Sequence, residues 1–128
     1  MSKQLSKKIS VALSLITIVM SAHAQKNSIP CPSISLIQTA SLKVDTAVKF
    51  SGVYSVYTST DAFVENEISW IVGTNNLAAA SRDEAIVKGK EIILNTTLKN
   101  QEEATVINPG EYSCTYGPGN IYALGFKR

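Results

Sequence analysis

The side chains able to do chemistry in this sequence are few, and their spacing limits what they can do. Its only thiols are Cys31 and Cys114, and its only histidine is His23. Two thiolates that share a metal ion or exchange electrons usually sit close together, as in Cys-x-x-Cys, and no such spacing occurs here. A pair 83 residues apart reads instead as one disulfide, given an oxidising compartment. In the chain-entropy account, closing a loop of that length is worth about 4–5 kcal/mol. That is a large share of the roughly 5–15 kcal/mol that keeps a domain folded.

Asp61, Glu65 and Glu67 form an acidic group that invites comparison with a calcium site. Calcium loops alternate their ligands around a glycine at the sixth position. This run does not match that spacing, and a solvated turn accounts for it. The aromatic rings are stronger candidates. Tyr54, Tyr57, Tyr112, Tyr116 and Tyr122 fall in strand-like stretches together with Phe50, Trp70 and Phe126. Most of these belong to a core and its rim. Tyr57 is out of phase with Tyr54, however, and Tyr122 with Ile121. Alternation therefore puts Tyr57 and Tyr122 on an exposed aromatic surface, and rings set among Ser and Thr are typical of ligand or partner surfaces.

The N-terminus explains why so little catalytic inventory remains. Lys3, Lys7 and Lys8 precede an apolar run of ten residues, Val11 to Met20, broken only by Ser14 and Thr17, and then Ala22-His23-Ala24. This is the order of a cleaved secretory signal over residues 1–24, with the cut between Ala24 and Gln25. The run is about half the roughly 20 apolar residues needed to span a bilayer. Three of the twelve lysines and arginines lie in the signal, which leaves nine basic against ten acidic residues, a net charge of −1. A near-neutral chain without a basic stripe is a poor nucleic-acid binder. His23 and both methionines depart as well. The mature chain cannot assemble a Ser–His–Asp or Cys–His pair or the common histidine zinc sites, so no catalytic residue, metal site or enzymatic activity is expected. The expected location is the periplasm or beyond.

The remaining 25–128 are enough for one domain. Pro32 and Ser33 open a short helix with Ile34 and Ile37 inward, and Cys31 stands at its entrance. Val48 to Thr60 alternates as a strand, with Val48, Phe50, Tyr54 and Val56 on the apolar side. Gly52 in that register marks a bulge or a close approach by the first helix. Glu67 to Gly73 is apolar on both faces, as in a central strand, and pairs with the first as a hairpin. Ser81-Arg82-Asp83-Glu84 is a capping box. It starts a helix whose inward face is Ala85, Ile86, Gly89, Ile92, Ile93 and Thr96, with Gly89 where the helix lies close on the sheet. Residues 99–108 read as a polar surface loop. Glu111 to Tyr116 and Ile121 to Phe126 form two further strands about a type II turn at Gly117-Pro118-Gly119-Asn120. The expected architecture is α+β: a four-stranded antiparallel sheet with two helices, in the order αββαββ, tied by Cys31–Cys114.

Four short features lie along this chain: Cys31-Pro32-Ser33, Trp70-Ile71-Val72-Gly73, Ala78-Ala79-Ala80-Ser81 and Cys114-Thr115-Tyr116. In these the chain resembles a family of small secreted proteins of unknown function from intracellular Gram-negative pathogens. One member of that family is described as a haemin-binding protein. The resemblance implies haemin as a ligand. Among usual haem-iron ligands, only tyrosine stays available in the mature chain. Two kinds of function follow: a module that binds a protein or a small hydrophobic ligand, and a haemin carrier.

Overall fold

The computed structural model describes residues 28–95, 101–117 and 120–128. The signal segment with its Ala24–Gln25 cleavage point, Thr96 and the centre of the Pro118-Gly119 turn lie outside these residues. Ser33 caps the first helix, α1 (Ile34–Ala40), its hydroxyl accepting from the Leu36 amide at 3.3 Å. Ile37 and Ala40 are buried beneath it. A 3-10 turn, Ser41–Lys43, leads into the sheet.

Four strands follow: β1 (Thr46–Phe50), β2 (Val53–Tyr57), β3 (Phe63–Glu65) and β4 (Ile68–Leu77). The single strand expected from Val48 to Thr60 is in fact a hairpin. The chain reverses at Ser51 and Gly52, with φ of 52° and 84°, two consecutive left-handed residues that match the twist of a tight hairpin. Gly52 is therefore a turn residue and not a bulge, and nothing lies within 4 Å of where its side chain would begin. The reversal also changes the phase of β1. Ala47 faces the core, while Val48 and Phe50 are exposed. A second left-handed pair, Asn66 and Glu67, folds β3 onto β4. The expected strand at 67–73 continues to Leu77 and is central, flanked by β2 and by the last strand of the chain.

The second helix, α2 (Arg82–Leu94), begins at the expected cap. The Glu84 amide donates to Ser81 Oγ at 3.2 Å. The Glu84 carboxylate accepts from the Ala80 amide at 2.8 Å, one residue earlier than a capping box uses. Ala85, Gly89 and Ile93 are buried, whereas Ile92 is exposed. A side chain at Gly89 would overlap Val56 Cγ2, so the glycine lets the helix rest directly on β2.

Strands β5 (Thr105–Asn108), β6 (Glu111–Tyr116) and β7 (Ile121–Lys127) complete the chain. The expected surface loop at 99–108 thus contains an edge strand. All four β5 residues are exposed, so β5 carries no alternation to betray it. The antiparallel sheet has the order β1-β2-β4-β7-β6-β5, with β3 beside β4. The α+β class and antiparallel pairing hold. The four-stranded sheet and the αββαββ order are corrected to seven strands, four before α2 and three after it.

Cys31 and Cys114 are joined, with Cα atoms 5.9 Å apart. The bond fastens the segment before α1 to β6, whose Tyr116 hydroxyl donates to the Pro32 carbonyl at 2.7 Å. Pairing extends there too: Cys31 N–H donates to the Glu102 carbonyl at 3.0 Å and Ala104 N–H to the Ile29 carbonyl at 2.8 Å. Helix α2 packs on β1, β2 and β4, and α1 packs against α2. Tyr54, Val56, Trp70, Val72, Cys114, Tyr116 and Ala123 fill the core on this helical face.

Candidate binding face

Strand pairing assigns each remaining side chain to the opposite face. Thr46, Tyr57, Gly73, Tyr122 and Thr115 lie in one row across β1, β2, β4, β7 and β6. Ile71, Leu124, Ser113 and Thr105 form the next. Neither row holds a charged side chain, and no helix among the described residues packs on this side.

Tyr57 and Tyr122, the two tyrosines set apart by their phase, stand on this face with only Gly73 between them in the row. Both are half-buried. Tyr122 lies across the glycine: a Cβ at Gly73 would stand 2.6 Å from the Tyr122 hydroxyl and 2.6 Å from the Val56 carbonyl oxygen. Burial, and then the neighbouring Tyr57, holds the Tyr122 phenol above its usual value. The other three tyrosines are structural. Tyr54 and Tyr116 are buried in the core, and Tyr112 packs against it. Burial, and then Glu65, raises Tyr116 as well.

Next to Tyr122 the ladder between β2 and β4 breaks. Tyr54 pairs with Leu77 and Val56 with Thr74, so β4 carries one extra residue. The insertion falls at Asn75-Asn76, where Asn76 is left-handed with φ of 58°. A bulge of this kind re-aims side chains. It returns Leu77 to the core and leaves Asn75 and Asn76 exposed. Asn75 accepts from the Ser55 hydroxyl and donates its backbone N–H to the Asn120 carbonyl at 3.2 Å. Asn75, Asn120, Ser113, Thr115, Tyr122 and Leu124 then line a hollow of about 430 Å³. On the other side of Asn75, Phe50, Val53, Ser55 and Asn76 line a smaller one of about 200 Å³.

The acidic group is not drawn together as a cation site. Asp61 forms an ion pair with Arg128 at 2.7 Å, and its carboxyl is held below the usual range by that guanidinium and by Ser69. Glu65 ends β3 and Glu67 is the second residue of the turn that follows it. Among the described residues no group of three His, Cys, Asp or Glu side chains could hold a metal ion. The sequence puts Tyr57 and Tyr122 on an exposed surface, where the structure has them half-buried, and it does not single out Gly73, Asn75 or Asn120 beside them. The signals were present: a glycine inside an apolar strand marks a close approach, and an Asn-Asn pair ahead of Leu77 marks a bulge.

No family model matches the chain, and no curated protein or solved structure matches it either. The disulfide fits an oxidising compartment, and no helix among the described residues is long and apolar enough to cross a membrane.

Proposed function

We propose that this is an exported, non-enzymatic binding protein that engages its ligand through the helix-free face of the sheet. In this reading the signal at 1–24 delivers the chain to the periplasm or beyond, and the Cys31–Cys114 bond keeps the fold intact there. The observation that carries the reading is the row Tyr57–Gly73–Tyr122 beside a hollow lined by amides and hydroxyls. The two rows that frame the hollow carry no charged side chain, and the first one on this face is Glu111, in the row of Ser69 and Phe126. Half-buried aromatic rings with free polar groups around them are the usual composition of a binding site.

The second reading, a haemin carrier, rests on the family resemblance. Ferric haem bound by tyrosine takes the phenolate. Tyr116 donates its hydroxyl proton to a backbone carbonyl inside the core, and burial, then Tyr57, raises the Tyr122 phenol above its usual value, which disfavours the phenolate. Neither is prepared as an axial ligand. Titration of the disulfide-bonded protein with haemin, followed at the Soret band, separates the readings. The expected result is no saturable shift. A saturable shift abolished by Tyr57→Phe or Tyr122→Phe would replace the present reading with the carrier.

A further inference from the structure

Resting on the reading of this face as the binding surface, we infer that the hollow at Asn75, Asn120 and Tyr122 takes a neutral oligosaccharide. The first reason is charge. No acidic or basic side chain lines either hollow. An ionised ligand would lose water there without gaining a counter-charge, whereas a sugar hydroxyl needs only a neutral donor and acceptor. The second reason is the hydrogen-bond inventory. Among the described residues, Asn75 Oδ1 accepts from Ser55 and the Thr115 hydroxyl donates to Gln101 Oε1 at 3.3 Å. Asn75 Nδ2, the Asn120 side-chain amide, the Ser113 hydroxyl and the Tyr122 hydroxyl have no partner among those residues. Amides and hydroxyls offer donors and acceptors side by side, which is the pattern that a ring of hydroxyl groups presents in return.

The third reason is shape. The two hollows adjoin at Asn75, so consecutive sugar units can occupy them. The Phe50 ring, 77% exposed, stands in the smaller one. An exposed ring beside uncharged polar groups suits a pyranose, whose C–H face is apolar and whose rim is polar. A peptide strand would be taken up along an unpaired sheet edge through backbone hydrogen bonds. This site lies on the face of the sheet, over β4, β6 and β7, and offers side chains.

The test is amide chemical-shift titration of the disulfide-bonded protein with chitotriose, maltotriose, cellotriose and mannotriose in turn. At least one is expected to give saturable shifts centred on Asn75, Ser113, Thr115 and Tyr122. Asn120→Ala and Ser113→Ala should each weaken binding about three- to tenfold, as expected for one neutral hydrogen bond. Raising the salt to about 0.5 M should leave the affinity unchanged, because no ion pair is there to be screened. Three results would overturn the assignment. One is the absence of saturable shifts with all four sugars. Another is tighter, salt-sensitive binding of a sulfated oligosaccharide at the same residues. The last is shifts that centre elsewhere. If a library of small uncharged fragments still perturbs this face while the sugars do not, the sugar assignment falls and the binding face stands. If the fragments leave it unperturbed too, both fall.

Discussion

Gly73 is where one residue decides whether the candidate face exists in its present form. Its missing side chain lets Tyr122 lie across β4, and the Val56 carbonyl oxygen closes the same space from β2. Trp70 uses Gly125 in the same way on the helical face, with its ring 2.8 Å from where a Cβ would stand. In each case an aromatic ring covers backbone that would otherwise be bare. Gly73→Ala should cost about 1–3 kcal/mol, as overpacking does, measured as a lowered urea midpoint. Adding Tyr122→Ala should recover only part of that loss, because the Val56 carbonyl belongs to the ladder and cannot move aside. Full recovery would mean that Tyr122 alone fills the space.

At the scale of elements, α2 shows how tertiary packing overrides local preference. Alanine is favoured over glycine within a helix by about 1 kcal/mol, so propensity alone predicts that Gly89→Ala stabilises. The position of Val56 Cγ2 reverses the sign. We expect Gly89→Ala to destabilise by about 1–2 kcal/mol, and Gly89→Ala combined with Val56→Ala to be more stable than the sum of the single changes. Thermal melts of the four proteins give the coupling directly. Much of this element was legible: Ser81 and Glu84 mark its start, and Gly89 marks its contact with the sheet. The strands were less so. The turn between β1 and β2 uses a serine at positive φ, a conformation that serine rarely adopts, so Val48 to Thr60 reads as one strand. β3 has three residues and β5 has four exposed ones; neither is long enough or patterned enough to produce alternation. The phase of Tyr57 and Tyr122 survived these errors because each is fixed by its immediate neighbours, Val56 and Ile121, and not by strand boundaries.

Over the whole molecule, the disulfide joins the first described residues to the penultimate strand across a separation of 83 residues. Replacing both cysteines with serine should lower the unfolding free energy by up to about 4–5 kcal/mol, read from denaturant curves of the two proteins. A much smaller loss would mean that pairing of residues 29–31 with 102–104 already confines the unfolded chain. The fold that this bond secures is asymmetric. Both helices and the core lie on one side, and the other side carries the two uncharged rows of aromatic and hydroxyl side chains, with Glu111 in the row beyond them. That asymmetry is the basis for calling the second side a binding face, and amide chemical-shift mapping with a library of small uncharged fragments tests it most directly. Fragments should perturb Tyr57, Gly73, Asn75, Thr115 and Tyr122 together and leave α1 and α2 unmoved. Shifts gathered on the helical side, or scattered over the molecule without a focus, would contradict it.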